Sequence, residues 1–425
     1  MISRLLRAYT GFKTNLPAIF NSQSAWMLIG FSAKAILQLI SFIYLARILG
    51  VGQYGSFIAI LSTTSILASL LDFGVYSVII SKFSKGENVR FIIGSAVSNL
   101  LIGFSIGILA IILLWRVMFY DYSLVSCILL ITSAFLGDRI QMLYSAISLS
   151  TSKNKRAAIL EIINWTLRLC LVGLLFILDG GEFTWTVLYT AQSLLIGLGS
   201  FYLIVREFGS PRFSKKIDIT DIKQGLGFSI GNLAKTMYSD LDKVLLSRLA
   251  SAESVGVFSV ASRFVNLIYL PLHALFGSTY KKFFEFGAIN FRSTFMFATK
   301  LLPVSLLYGI VSGLLIYAFG PLVPKILGNS FAGSASALQL LSITLVAQAC
   351  QQPFADVFSG TGKQSIRNLV QIFVLILSIL LNITLIRVLD WRGACLASII
   401  SQFTSLGLFI FISMKYLRED GGNKI

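Results

Sequence analysis

Two lysines inside apolar segments are the residues of this sequence best placed to do chemistry. Lys34 closes the run IGFSAK and Lys235 closes IGNLAK, so the pattern I-G-x-x-A-K recurs after 201 residues. A charged side chain within an apolar helix is costly and usually faces a cavity or a partner. Two such lysines predict a site for an anion that has to leave water.

Both lysines lie on polar stripes with helical spacing. The first stripe consists of Lys34, Gln38 and Ser41. The second stripe, at equivalent positions of the repeat, consists of Asn232, Lys235, Ser239 and Asp242. The next apolar segment adds Arg263, Asn266 and His273. Such stripes predict that both halves of the chain face one polar cavity.

Basic residues inside the apolar segments or at their ends form the candidate anion site. They are Lys34, Lys235, Arg263, Lys300 and the repeat-related pair Arg47 and Arg248. Two acids are candidates for coupling to a proton or a cation: Asp242, and Asp72, which is equivalent to His273. Phosphate-loop, metal-ligand and nucleophile-triad patterns are absent from the sequence, so we expect no catalytic residues, no metal and no cofactor.

Several intramembrane charges also allow a structural interpretation. Glu161 and Arg168, at i and i+7, are placed to pair with each other, and Asp138 beside Arg139 is a similar case. Lys243, near a helix end, is placed to extend its amine to the membrane interface. The two repeated lysines have no acid on the same turn, which favours a functional role for them.

The composition defines the elements that must position these residues. Of 425 residues, 56% are hydrophobic and 12% charged, and the mean hydropathy is +0.82, whereas soluble domains carry about 25% charged residues. Apolar runs of about 20 residues, long enough to cross a bilayer as a helix, recur along the chain. Twelve are predicted, at 24–48, 54–79, 91–114, 123–149, 158–178, 185–205, 224–248, 255–279, 294–319, 334–358, 368–389 and 393–414.

The repeat divides these helices into two groups of six. A second match, STSKN at 150–154 over GTGKQ at 360–364, supports it. We expect an all-α polytopic membrane protein with about 12 transmembrane helices in two pseudo-symmetric six-helix bundles around a central cavity. The predicted lobes are residues 1–210 and 211–425, and parallel repeats of this kind bind substrate near the midplane.

The net charge of +17 reflects the concentration of lysine and arginine on the cytoplasmic side of a membrane protein. It predicts contact with anionic membrane lipids, and we expect no binding of nucleic acid. With the N-terminus inside, the cytoplasmic connections hold most of the lysines and arginines, so both termini are predicted to be cytoplasmic. The cysteines are isolated within apolar runs, and we expect neither a disulfide nor a metal role for them. They are Cys127, Cys170, Cys350 and Cys395.

Several quoted stretches resemble one transporter family. LARILGVGQYGSFIAILS and DFGVYSVIISKFS are similar to the first hairpin of bacterial polysaccharide (O-antigen) flippases of the multidrug/oligosaccharidyl-lipid/polysaccharide exporter superfamily. DKVLLSRLASAESVGVFSVASRFVNLIYLPLHAL, FSGTGKQSIRN and NITLIRVLDWRGACLASIISQ resemble later segments, in order. One departure is Lys82, where the family frequently has arginine.

The resemblance implies transport of an oligosaccharide on undecaprenyl pyrophosphate, from the cytoplasmic to the periplasmic leaflet of the bacterial inner membrane. The pyrophosphate would be the anion, and a proton or sodium gradient the driving force. Polymerase and chain-length proteins of lipopolysaccharide biosynthesis are the implied partners.

The sequence leaves three alternative functions open. A drug or organic-cation antiporter of the same superfamily would have mainly acids in its cavity, and a lipid II flippase would carry further C-terminal helices. A membrane-embedded polysaccharide polymerase or ligase usually has a large periplasmic loop, and no long non-cytoplasmic connection is predicted here.

Overall fold

The computed structural model describes residues 22–84, 88–118, 122–151, 153–213 and 219–422, and the regular structure in these ranges is helical. Nine helical segments in them are long and apolar enough to cross a membrane, and a bent pair, Asn329–Leu341 with Thr344–Gly360, makes a tenth. The first of the nine, Ser32–Phe83, covers two predicted crossings. The less apolar helix Ile219–Leu249 lies where a further crossing is predicted. The prediction of an all-α polytopic membrane protein with about twelve crossings is confirmed.

The helices are numbered in chain order. The first eight, with a π-helical turn at Ser133–Arg139 between α4 and α5, are α1 Ser22–Leu71, α2 Val75–Ser84, α3 Val89–Met118, α4 Leu124–Thr132, α5 Ile140–Ser150, α6 Asn154–Ile177, α7 Glu182–Phe208 and α8 Ile219–Leu249. They are followed by α9 Ala252–Gly287, α10 Phe291–Phe319, α11 Val323–Leu327, α12 Ala332–Leu341, α13 Thr344–Gly360, α14 Gln364–Leu389 and α15 Trp391–Gly422.

The described residues form two compact units. Of the described residues, the first unit contains 22–48 and those within Leu67–Leu233, and the second contains Leu49–Ile66 and those from Ala234 to Gly422. The units follow from spatial contacts, whereas the predicted lobes 1–210 and 211–425 follow from the sequence repeat. The lobes stay a prediction.

Two breaks interrupt the long N-terminal helical region. Gly50 has φ 72° and ψ 172° inside α1, a conformation that L side chains rarely adopt, and it separates the first two crossings. A second break follows α1, where Phe73 and Gly74 have φ values of 48° and 60°. There the Gly74 N–H donates to Oδ1 of Asp72 over 2.9 Å. The predicted span 54–79 therefore lies within an apolar segment that α1 and α2 share, with a break between them.

Two repeat-equivalent glycines make reciprocal contacts within the second unit. A Cβ on Gly256 would lie 2.2 Å from the carbonyl oxygen of Val51, and one on Gly55 would lie 1.7 Å from that of Ala252. Val51 and Ala252 are themselves 201 residues apart. Only glycine permits so close an approach of two helix backbones, which explains why both repeats have glycine here.

The second repeat match produces the same contact in each unit. In the first unit, Nζ of Lys153 lies 4.8 Å from the ring centre of Phe208. In the second unit, Nζ of Lys363 lies 3.9 Å from the ring centre of Tyr416. The two lysines come from the matched stretches, and the rings lie on α7 and α15, so a cation–π contact is repeated with the sequence.

Candidate functional site

Lys34 is paired with an acid from another helix of the first unit. Its Nζ on α1 donates to Oε1 of Glu161 on α6 over 2.9 Å. The two side chains are 33% and 29% exposed, so the pair is accessible rather than sealed. The predicted pair of Glu161 with Arg168 is wrong, because Glu161 turns toward α1 and binds Lys34 instead.

Neutral amides link Glu161 to Arg168. Gln141 Nε2 donates to the second Glu161 oxygen over 3.3 Å, and Asn164 Nδ2 donates to Gln141 Oε1 over 2.9 Å. The Gln192 amide hydrogen-bonds to Asn164 and accepts at 3.1 Å from Nε of Arg168. A bonded network of this kind holds its members in place. It ties two cations to one carboxylate, so the set is positively charged.

Asp72 and Arg139 form a second ion pair of the first unit. Arg139 Nη1 lies 3.1 Å from Oδ2 of Asp72, whose side chain is 4% exposed. Ser229 also donates to Asp72, over 3.3 Å. Asp138 accepts from the hydroxyl of Ser193 over 2.8 Å. The predicted pairing of Asp138 with Arg139 is therefore wrong, since the two neighbours point to different helices.

The second unit contains a polar cavity of about 330 Å³. Its lining includes Asp242 on α8 and Tyr269 and His273 on α9, whose rings meet edge to face with centres 5.0 Å apart. Amide side chains dominate the opposite walls on α13, α14 and α15. These are Gln348, Gln351, Gln352, Gln371 and Gln402. Sequence reasoning missed this wall, although three glutamines in the run QACQQP are a visible signal within an apolar segment.

Asp242 is held by neutral donors among the described side chains. Asn382 Nδ2 on α14 donates to Oδ1 over 2.8 Å, and the Ser398 hydroxyl on α15 donates to Oδ2 over 3.2 Å. The carboxylate thus lies where three helices meet and faces the cavity. A carboxylate whose described hydrogen-bond donors are neutral is suited to exchanging a proton or a monovalent cation.

Two further ion pairs of the second unit concern residues near the cavity. Lys243 binds Asp240 over 2.5 Å and its side chain is 14% exposed, so the predicted extension of Lys243 to the interface is wrong. Sequence reasoning missed Asp356, which is 1% exposed and pairs with Arg367 over 3.1 Å. The two residues lie on either side of the GTG turn at 360–362, and this pairing across a turn was the available signal.

The other predicted basic residues occupy different environments. Arg263 is half-buried, with its guanidinium 5.9 Å from the ring centre of Tyr54. Arg47, Arg248 and Lys300 are exposed. Arg47 lines a groove of about 690 Å³ in the first unit. The side chain of Lys235 lies outside the described residues, so the predicted symmetry of the two lysines stays a prediction.

Each described unit thus concentrates its polar and charged side chains at one place. The first unit offers an accessible, positively charged amine in a hydrogen-bonded network. The second offers a polar cavity with one carboxylate. No group of three or more His, Cys, Asp or Glu side chains among the described residues could hold a metal ion.

Solved structures of similar fold are membrane transporters. One, described as the inward-facing conformation of a multidrug resistance MATE family transporter of the MOP superfamily, has a TM-score of 0.74 at 15% identity, covering 94% of this chain and 100% of that chain. The lipid II flippase MurJ in an inward closed conformation has a TM-score of 0.71 at 16% identity, covering 91% and 87%. A MOP superfamily transporter from Pyrococcus furiosus, whose description names a reversed polarity of the binding pocket, has a TM-score of 0.61 at 18% identity, covering 93% and 94%. At such identities the likeness shows the fold.

Family models complete the comparison. No curated protein gives a significant match. The MatE model matches residues 228–384, and the matches point to a transporter or flippase rather than to an enzyme. The model described as polysaccharide biosynthesis protein matches residues 22–280. Because that match spans more than half of the chain, the chain belongs to the polysaccharide biosynthesis protein family and has the fold of the MOP superfamily transporters.

Proposed function

We propose that this protein is a flippase for oligosaccharide linked to undecaprenyl pyrophosphate. It moves this lipid from the cytoplasmic to the periplasmic leaflet of the bacterial inner membrane, with both protein termini in the cytoplasm. The observation that carries the proposal is the accessible, positively charged network around Lys34, which lies within apolar helices of a polysaccharide biosynthesis protein.

Lys34 is the central residue for the pyrophosphate in this proposal. Glu161 occupies its amine in the structure, and both side chains are about one-third exposed. A pyrophosphate approaching Lys34 would therefore compete with Glu161 for one ammonium group. Charge-assisted hydrogen bonds to phosphate oxygens are strong enough to compete, particularly where water is partly excluded. Lys235, Arg263, Lys300, Arg47 and Arg248 supply further positive charge.

Asp242 is the proposed site of ion coupling. Its neutral partners Asn382 and Ser398 leave the carboxylate free to bind a proton or a sodium ion. Asp72 is the second candidate from the sequence, but its ion pair with Arg139 favours a structural role. We therefore rank Asp242 first.

An antiporter of organic cations is the second candidate function. The MatE match over residues 228–384 and the carboxylate in the cavity of the second unit favour it. The basic residues within the apolar helices argue against it, because they repel a cationic substrate. Resistance to cationic dyes in cells that express the protein would support the antiporter.

A cell-based assay tests the flippase. A strain that lacks its own flippase for a polysaccharide repeat unit is complemented with this chain. Lipid-linked oligosaccharide that reaches the periplasmic leaflet is processed by enzymes there, and the amount of processed product is measured. We expect processing with the wild-type chain and with Lys281→Ala, which removes an exposed lysine outside the site. Processing should be lost with the double change Lys34→Gln and Lys235→Gln. If the double variant is abundant in the membrane and processing is still normal, the result would contradict the proposed anion site.

A further inference from the structure

The polar cavity of the second unit has an unusual chemistry for the interior of a membrane protein. Five of its lining side chains are glutamines, from three helices. Among the described lining residues, Asp242 is the carboxylate, and neither lysine nor arginine is present. Amides within apolar helices are costly unless their donors and acceptors meet a partner, either in the protein or in a ligand.

Two polar atoms of this lining lack a partner among the described residues. Oε1 of Gln351 and Oγ of Ser401 are buried and make no hydrogen bond there. Buried polar atoms are almost always satisfied, and leaving one unpaired costs free energy. Gln351 on α13 and Ser401 on α15 both line the cavity, and a rotation of either side chain about its last torsion would turn its unpaired oxygen toward a molecule inside it.

The chemistry of the lining selects among ligands. Amides and hydroxyls both donate and accept, which matches the hydroxyl groups of a sugar, since each of these also donates and accepts. A phosphate would need cationic donors, which are absent from the described lining. A sugar acid would meet the carboxylate of Asp242. The tyrosine rings of Tyr238 and Tyr269 offer flat, partly apolar faces for the carbon side of a sugar ring.

We propose that this cavity binds uncharged sugar units of the transported oligosaccharide. Its volume of about 330 Å³ is at the small end of the about 300–1,000 Å³ usual for ligand pockets, so it accommodates one or two sugar units rather than a complete repeat. The inference rests on the proposed function for its physiological ligand, while the cavity's selectivity for neutral sugars can be measured without the lipid.

The first experiment uses free sugars and the full chain in lipid nanodiscs. Saturation-transfer NMR is recorded with methyl N-acetyl-glucosaminide, methyl glucoside and methyl glucuronide. We expect binding of the two neutral glycosides and weaker binding of the glucuronide, because Asp242 repels its carboxylate. Gln351→Leu and Ser401→Ala should each weaken binding of the neutral glycosides by about threefold to tenfold, the loss of one neutral hydrogen bond.

Controls separate this loss from misfolding. Oε1 of Gln351 and Oγ of Ser401 have no hydrogen-bond partner among the described residues, so removing either atom breaks no hydrogen bond within the described protein. Gln339→Leu removes an amide that contacts the carbonyl of Tyr317 outside the cavity, and it should bind as the wild type does. Unchanged binding by both Gln351→Leu and Ser401→Ala, or no binding of either neutral glycoside, would overturn the proposal.

A second measurement distinguishes this inference from the flippase proposal. Binding of undecaprenyl pyrophosphate without sugar tests the anion site alone, and it should be the same in Gln351→Leu and wild type. Attaching N-acetylglucosamine should tighten binding about tenfold in the wild type and less in the variant. If the bare lipid fails to bind while free glycosides still do, the flippase proposal fails and the sugar site stands. If the attached sugar does not tighten binding of the lipid to the wild type, the proposed sugar site is wrong while the flippase proposal stands.

Discussion

The ion pair between Lys34 and Glu161 gives a prediction in which two variants change lipid binding in opposite directions. If Lys34 binds the pyrophosphate, Glu161 is its competitor in the empty protein. Glu161→Gln should then strengthen binding of undecaprenyl pyrophosphate, whereas Lys34→Gln should weaken it. If the pair is only structural, both variants should lose stability, and neither should bind the lipid better than the wild type.

The structure gives the magnitudes. About one-third of each side chain is exposed, so the pair is worth about 1 kcal/mol, the upper end for exposed pairs. Releasing Lys34 from Glu161 should therefore strengthen binding up to about fivefold. Removing the ammonium loses a charge-assisted contact worth about 1.5–3 kcal/mol, which corresponds to about tenfold to a hundredfold weaker binding. Lys34→Arg should retain more affinity than Lys34→Gln, because charge matters more than shape here.

The assay is equilibrium binding of undecaprenyl pyrophosphate to the full chain in nanodiscs, with thermal unfolding recorded for every variant. Lys281→Gln is the matched control, because it removes a surface lysine that also has an acidic neighbour, Glu285, at 3.7 Å. Weaker binding by a well-folded Glu161→Gln would refute the competition between Glu161 and the lipid. Equal binding by Lys34→Gln and wild type would refute the role of Lys34.

Three more predictions follow from the structure and the topology. Asp242→Asn should slow transport driven by an ion gradient far more than it weakens lipid binding, and equal transport by the variant and wild type would exclude Asp242 from coupling. Removing Arg367 leaves the buried Asp356 unpaired, so Arg367→Leu should lower the free energy of unfolding by about 3–5 kcal/mol, and an unchanged melting temperature in detergent would contradict this role. A reporter fused after Gly181 should be periplasmic and one after Lys215 cytoplasmic; the reverse result at both positions would overturn the orientation.

The sequence predicted the helices well because the thickness of a bilayer fixes the length of an apolar run. It was less successful where polar residues shape the backbone. The break at Phe73 and Gly74 depends on the carboxylate of Asp72, which binds the Gly74 N–H. Apolar composition carries no record of such a contact, so the break within the span 54–79 could not be predicted.

The charged residues show a different limit. Helical spacing predicts that Lys34 shares a face of α1 with polar residues, but spacing along one helix does not tell which residue of another helix it meets. Glu161 lies 127 positions away in sequence, and the simpler pairing of Glu161 with Arg168 was therefore preferred. Asp138 and Arg139 diverge for a related reason. Both lie in a π-helical turn, and neighbours on a helix point in different directions.

The basic residues of the candidate site could be predicted from the sequence, whereas the uncharged polar residues of the cavity could not. Basic residues stand out in an apolar chain, so Lys34 and Arg263 could be proposed from the sequence as candidates, and their role in binding stays a prediction. The glutamines of α13 are uncharged, and each is tolerable on its own. Their meaning appears only when folding brings Gln351 together with Gln402 of α15 around one cavity.

The most direct test of the central claim is translocation by the purified protein. The full chain is reconstituted in liposomes with a fluorescent undecaprenyl pyrophosphate disaccharide, and the fraction that reaches the outer leaflet is measured by its accessibility to an added glycosidase. We predict rapid translocation by the wild type, faster with an inward proton or sodium gradient, and translocation at the protein-free rate by the Lys34→Gln, Lys235→Gln double variant. If liposomes with the wild-type protein translocate the lipid no faster than protein-free liposomes, even with a proton or a sodium gradient applied, the result would contradict the account.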